Sequence, residues 1–231
     1  MKQFKRLIRP LVEVLYPFYL FGYKSYSQYG EDMVLKAFIE MEYPKNYKGF
    51  YIDIGAHHPF RFSNTAYFYK KRWRGINVEP TPTLIKKFHS LRKRDININA
   101  AVGISDEPLM FYFFNEPALN SFDRELALSS ENYRYKIIDR AEIPIEKLSS
   151  ILDKNLPKGT EITFMTVDVE GFDFKVLKSN DWQKYKPKFI LIENEIDFEN
   201  IMLNKVYNYL KDKGYQLIGK TLGTSIYKRI N

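Results

Sequence analysis

GFYIDIGAHHP, Gly49 to Pro59, decides the reading of this 231-residue chain. Phe50 to Ile54 carries apolar residues on both faces, which suits a central strand of a parallel sheet. The strand ends on Asp53, Gly55 and Ala56. Gly55 lets the backbone approach a ligand with no Cβ in the way. A turn of this kind after a first strand is where doubly wound α/β sheets bind nucleotides. The dinucleotide fingerprint needs three glycines, G-x-G-x-x-G. Here one glycine is followed by Ala56, His57, His58 and Pro59, so no pyrophosphate cradle forms and NAD or FAD is disfavoured.

Outward from that strand, strand and helix signals alternate. A helix is predicted from Ser63, a good N-cap, to Lys71. Strand two is Ile76 to Val78, ending at Glu79; Thr81 caps and Pro82 starts the next helix. Strand three is Ile96 to Val102, and PLMFYFF, 108–114, reads as an added strand. Residues 115–136 have weak periodicity and many polar groups, as expected of a lid on the substrate side. Ile143 to Leu152 reads as a short edge strand and a helix. Strand four is Ile162 to Val167, with a helix from about Phe172 to Leu177. Strand five is Phe189 to Ile192, followed by a helix over Ile201 to Leu210. Tyr215 to Ile218 and Ser225 to Arg229 form a closing pair. Upstream, Ser27 to Met41 forms a helix with Ser27, Gln28, Glu31 and Asp32 at its start. The expectation is a single-domain α/β fold with helices on both faces of the sheet. Its sheet has seven strands, mostly parallel, with an antiparallel C-terminal hairpin.

Ligands of such sheets gather beyond the carboxyl ends of the strands. Strand one brings Asp53, Gly55 and Ala56 there, and strand two brings Glu79 and Pro80. Glu79 follows at about the interval at which an acid reaches ribose hydroxyls. Strand three brings Asn99, Ala100 and Ala101, small enough to flank an adenine. Strand four brings Asp168, Glu170 and Gly171, and strand five brings Glu193, Asn194 and Glu195. Five apolar runs that all end in polar groups are hard to explain as solvated loops.

An acid and a single glycine after strand one also mark S-adenosylmethionine-dependent methyltransferases. SQYGED at 27–32, DIGAHHP at 53–59 and SNT at 63–65 carry a closer likeness. So do GINVEP at 75–80, NAAVG at 99–103, DVEGFD at 168–173 and the final Gly214–Tyr215. In that order they resemble the FkbM family of S-adenosylmethionine-dependent methyltransferases, from about residue 25 to the C-terminus. The resemblance implies a class I methyltransferase, Rossmann-like fold and O-methyl transfer to a sugar, polysaccharide or other natural-product hydroxyl. It assigns cofactor contacts to Gln28, Asp53, Gly55, Ala56, Asn64, Thr65, Glu79, Pro80, Asn99, Ala100, Ala101 and Asp168.

A sugar hydroxyl is a poor nucleophile at neutral pH and needs a base or a metal. Asp168 and Glu170 are the bases by position, with His57 and His58 as alternatives because histidine titrates near neutrality. Asp168, Glu193 and Asn194 are an oxygen donor set of the kind Mg²⁺ takes. They resemble the acid and Asp-Asn pair of metal-dependent catechol O-methyltransferases, with Glu in place of Asp. The competing reading is an ion-free acidic pocket facing the cationic methionine moiety.

Composition bounds the rest. The chain has no cysteine, which excludes disulfides, thiolate metal sites and a cysteine nucleophile, and fits a cytoplasmic location. Its net charge of +8 is clustered at residues 1–24, at Lys70, Lys71, Arg72 and Arg74, and at Lys86, Lys87, Arg92, Lys93 and Arg94. Each cluster reads either as a solvated helix face or as a surface for anionic partners. An RNA methyltransferase is the alternative that this charge suggests, and a non-catalytic S-adenosylmethionine-binding protein is a third reading, against which the acids after strands four and five argue. The N-P-P-aromatic motif of base amino-group methylation is absent, and nucleic acid is not the expected partner. Residues 1–24 form a separate basic, apolar extension with helical spacing, interrupted by Pro10 and Pro17. Its apolar stretch, Leu11 to Phe21, is too short to span a bilayer and is interrupted by Glu13, and the segment suits either a packing helix or peripheral contact with the inner membrane face. Residues 25–231 form the catalytic domain.

Overall fold

The computed structural model describes residues 22–193 and 198–230. The expected N-terminal helix, Asn194 and Glu195 lie outside the described residues. In chain order the elements begin with α1 (Glu31–Glu42), β1 (Phe50–Ile54), α2 (Ala66–Lys70), β2 (Arg74–Val78), α3 (Pro82–Leu91) and β3 (Ile96–Ile98). Then come β4 (Ala101–Val102), β5 (Leu109–Phe114), a 3₁₀ turn (Pro117–Leu119), α4 (Arg124–Ser130), β6 (Ile137–Ile143) and β7 (Ile145–Glu146). The chain closes with α5 (Leu148–Asn155), β8 (Phe164–Val167), α6 (Asp173–Lys178) and β9 (Phe189–Glu193). After these come a second 3₁₀ turn (Phe198–Leu203), α7 (Lys205–Asp212), β10 (Tyr215–Lys220) and β11 (Thr224–Arg229).

Seven strands form one sheet in the order β10-β11-β9-β8-β1-β2-β3. All pairings are parallel except those of β11 with β9 and β10. The expected sheet and its C-terminal hairpin are therefore present. Successive strand residues face opposite layers. Ile52, Ile54, Met165, Val167, Ile190 and Ile192 pack against α5, α6 and α7 through Leu148, Ile151, Val176, Leu177, Val206 and Leu210. Tyr51, Phe164, Phe189 and Leu191 pack against Leu35 and Ile39 of α1 and Phe68 and Tyr69 of α2.

The predicted third strand is broken. Asn99 donates its amide to the carbonyls of Glu79 and Pro80, both at 2.8 Å, and pulls the chain off the sheet. The next strand, β4, pairs with β7 instead, in parallel. The segment between β4 and β7 is the lid, and it is larger than residues 115–136. Within it β5 and β6 form an antiparallel hairpin, of which only the β5 side is legible in the sequence. Ser63 does not cap a helix, because its hydroxyl is used elsewhere and α2 starts only after Thr65. The predicted last helix is split, with Asn204 capping α7 by accepting the Val206 N–H at 2.6 Å. Among the described residues no helix is long and apolar enough to cross a membrane.

Candidate functional site

The loops after β1, β2 and β8 meet at one point. Gly55 has φ +77°, and a Cβ there would lie 1.8 Å from the Asp168 carbonyl oxygen. Only glycine permits both that conformation and that approach. The Gly55 and Ala56 N–H groups donate to the Val78 carbonyl at 3.0 and 3.1 Å, and the Asp168 N–H donates to Ile54 at 3.0 Å. Glu79 is buried, and its two carboxylate oxygens accept the N–H of His57 at 2.9 Å and of Thr81 at 2.8 Å. Burial raises its pKa, and those hydrogen bonds oppose the rise. Each oxygen keeps lone-pair capacity for a further donor.

The loop after β8 supplies the acids. Carboxylate oxygens of Asp168, Glu170 and Glu193 all lie within 4.8 Å of one another. Asp168 and Glu193 are hydrogen-bonded to each other, so one of them carries a proton. Burial pushes both upward, and Glu193 also feels the charges of Asp168 and Glu170. Asp173, beneath them, is raised to about 7 by burial and by Asp168. Glu170 is a non-glycine residue with φ +48°, followed by Gly171 at φ +88°. Such left-handed turns persist only where the surroundings enforce them.

These groups line a cleft at the carboxyl edge of the sheet. Of the residues singled out in the sequence, Gln28, Gly55, His57, Glu79, Pro80, Ala100, Ala101, Asp168, Glu170 and Glu193 line it. Others do not. Asp53 points to the opposite face from Ile52 and Ile54 and accepts the Thr65 hydroxyl at 2.6 Å. Asn64 donates to Thr166 Oγ1 at 3.0 Å. Asp53, Asn77, Asn97 and Thr166 are in register across four strands, so a buried polar row crosses this face, and the SNT segment is pinned to it. Ala56 packs on Ile85 and Phe88 of α3. Asn99 is spent on the two carbonyls that break strand three. His58 accepts the N–H groups of Phe60 and Arg61 on Nδ1, both at 3.1 Å, and shapes its own loop instead of facing the cleft. His57 does face it: both ring nitrogens are buried without a hydrogen-bond partner, and burial lowers its pKa to about 4. In SQYGED only Gln28 reaches the cleft. Asp32 accepts from Ser25 Oγ, Tyr26 N and Ser27 Oγ, and Glu31 from Tyr29 N and Thr221 Oγ1.

The lid closes the cleft from above with Phe111, Pro117, Ala118, Asn120 and Phe122. Phe111 and Phe122 lie 4.4 Å apart, and Phe122 continues onto Phe172 at 5.5 Å. Three side-chain pairs tie the lid to three different loops. Arg61, from the loop after β1, makes a two-pronged pair with Glu116 at 3.0 and 3.2 Å. Asn120 donates to Thr81 Oγ1 at the start of α3 at 3.3 Å, and Ser121 Oγ donates to the Glu170 carbonyl at 2.7 Å. The aromatic content of PLMFYFF hints at Phe111; nothing local marks Phe62, Asn120 or Phe122.

The model of the methyltransferase FkbM domain matches residues 53–217, from the end of β1 to β10. Among solved structures, methyltransferase FkbM from Methylobacillus flagellatus KT aligns at 15% identity and a TM-score of 0.44. The alignment covers 79% of this chain and 44% of that one, so this chain spans less than half the length of that structure. No curated protein matches.

Proposed function

Because the chain belongs to the FkbM methyltransferase domain family, we propose that it methylates a hydroxyl of a sugar, polysaccharide or similar natural product, with S-adenosylmethionine as donor. One observation carries this reading: Asp168, Glu170 and Glu193 converge in a cleft whose other wall holds the Glu79 carboxylate. The donor set fits the group. Glu79 would take the ribose hydroxyls, since each of its oxygens has room for another hydrogen bond. Ala100, Ala101 and Val102 would flank the adenine, and the acidic cluster would face the cationic methionine end. When bound, S-adenosylmethionine supplies an electrophilic methyl group on a sulfonium.

The chain's own part is to place the acceptor and take its proton. Asp168 and Glu170 are the acceptors of that proton. Burial among other carboxylates raises the pKa of Asp168 and makes it a better base near neutrality. His57, neutral at pH 7, is the second candidate. Phe111 and Phe122 offer flat apolar surface for the carbon face of a sugar. The same carboxylates are of the type that holds Mg²⁺, but the proton between Asp168 and Glu193 would first have to leave. We take the ion-free version.

Calorimetric titration with S-adenosylhomocysteine, then transfer of labelled methyl to a panel of sugars with and without EDTA, tests the whole reading. A protein that fails to bind S-adenosylhomocysteine overturns it; loss of turnover on chelation with rescue by Mg²⁺ replaces the ion-free version by the metal one. Peripheral membrane contact is a second proposal. Lys24 and Lys70 both lie over the Tyr26 ring, at 5.2 and 5.4 Å, so positive charge gathers where residues 1–21 join the domain. Sedimentation with anionic vesicles at low salt checks it, and a protein left wholly in the supernatant refutes it.

A further inference from the structure

We propose that Arg92 is a positioning residue: from behind the cleft it holds the loop after β1 in the shape that presents His57 and Phe62 to the ligand. The proposal rests on the cleft being the S-adenosylmethionine site. In the sequence Arg92 reads as one of five clustered basic residues, on a solvated helix face or on a surface for anionic partners; in the structure its side chain is fully buried.

Its five N–H donors make five hydrogen bonds. Nε and Nη2 both donate to the Pro59 carbonyl, at 3.0 and 2.6 Å. Nη2 also donates to Ser63 Oγ at 3.0 Å, and Nη1 donates to Thr65 Oγ1 and Tyr51 Oη, each at 3.1 Å. Four of the five therefore end on residues 59–65. The guanidinium lies over the rings of Phe60, Tyr69 and Phe88, 4.9–5.6 Å from their centroids. Asp95 is its counter-ion at 3.5 Å, and the Tyr51 hydroxyl donates to the same carboxylate at 2.6 Å. Asp53 joins through Thr65. Placement just past the C-terminus of α3 favours the positive charge further.

The segment so held is strained. His57 has φ +50° and Phe62 φ +54°, both outside the usual range for non-glycine residues, and both line the cleft. Between them the chain turns inward to Pro59, which is buried. Left-handed residues of this kind relax unless several contacts over-determine them. On the Glu79 side the His57 N–H is fixed; on the far side the anchor is the pair of bonds from Arg92 to Pro59. A buried ion pair is weak evidence for stability, since apolar side chains of similar volume often serve as well. What an apolar residue lacks is four directed bonds to one short segment. Lysine, with three donors on a single nitrogen, lacks them too.

The test is Arg92→Lys, read in three ways: folding by circular dichroism and melting, S-adenosylhomocysteine affinity by calorimetry, and the imidazole signals of the three histidines by NMR. The expected result is a folded protein with affinity reduced at least about tenfold. The His57 signal moves to that of a solvated ring while His89, on α3, stays in place. A folded Arg92→Lys with wild-type affinity and an unmoved His57 signal overturns the proposal, even if it melts earlier, since that is a purely structural role. If Arg92→Lys does not fold, Tyr51→Phe and Ser63→Ala each remove one partner and keep the guanidinium. A displaced His57 signal in either supports the proposal, and an unmoved one in both overturns it. If the wild-type protein itself fails to bind S-adenosylhomocysteine, the cofactor reading falls, and the His57 signal alone still decides the role of Arg92.

Discussion

Gly55, on the floor of the cleft, has no room for a single methyl group, whereas the lid above it is tied down by three side-chain pairs. The floor is built from backbone: strand ends in register, N–H groups donated to neighbouring carbonyls, and a carboxylate, Glu79, gripped by two more N–H groups. The lid has a small core of its own, Tyr112, Phe114 and Ala127, and leaves Leu128 and Ile138 exposed. One of its ties, Arg61 to Glu116, is partly solvated and so contributes about 0–1 kcal/mol. In the proposed reaction the floor serves the donor, which never changes, and the lid serves the acceptor. A floor that cannot flex and a lid that can be retuned one side chain at a time match that division.

Substitutions should therefore separate the two. Gly55→Ala is the most severe expected change. Overlap with the Asp168 carbonyl costs about 1–3 kcal/mol and the left-handed backbone about 1 more. Melting temperature should fall and S-adenosylhomocysteine binding should vanish; retained binding would mean that the two loops can part. Asp168→Asn should next lower turnover by about 10²–10⁴ with donor binding kept, as for a lost general base. In the companion Glu193→Ala, the hydrogen bond that favours the Asp168 carboxylate is lost and Asp168 ionises less easily, so the rising limb of the pH–rate profile should move to higher pH. An unmoved limb would detach the pair from the chemistry. Glu79→Ala removes the hydrogen-bond pair to the ribose and should weaken S-adenosylhomocysteine binding by about 1.5–3 kcal/mol, roughly 10–150-fold. Phe122→Ala is the lid's counterpart and the mildest. Loss of one aromatic contact, about 0.5–1.5 kcal/mol, should raise acceptor KM about 2–12-fold and leave donor affinity alone. A donor defect in that variant would erase the distinction between floor and lid.

The floor is largely legible in the sequence. A strand buried on both faces reads as an apolar run, and the polar residue that ends it stands out: Glu79, Asp168 and Glu193 are all visible in this way. The facing of each residue is less legible. Asp53 carries the same signal as Glu79, yet the two-residue period of its strand turns it to the opposite layer, where Thr65 satisfies it. Asn64 and Thr65 stand out in a motif and are assigned to the cofactor by resemblance; in the structure they bond to the polar row, Thr166 and Asp53. Arg92 is invisible, because a buried arginine and a solvated one are the same letter, and its partners Tyr51 and Pro59 are far from it in sequence. The ties of the lid are also non-local: Arg61 meets Glu116, and Ser121 meets Glu170, across long stretches of chain. In β6, exposed Asp139, Arg140 and Glu142 sit beside half-buried neighbours, and no alternation is clear enough to read.

The pairing of β4 with β7 has a consequence for how such a protein diversifies. The chain enters the lid after Ala101–Val102 and leaves it at Ile145–Glu146, and these two dipeptides, a separate two-stranded pair outside the main sheet, lie side by side in parallel register. Neighbouring strands stand about 4.8 Å apart, so the exit and the entrance of the whole excursion are adjacent. Everything between is a cassette inserted through one narrow slot. Cassettes of other lengths and linings can occupy the same slot without shifting a strand of the main sheet. In the proposed reaction, exchange of that one contiguous segment would change the acceptor side and leave the donor side as it is.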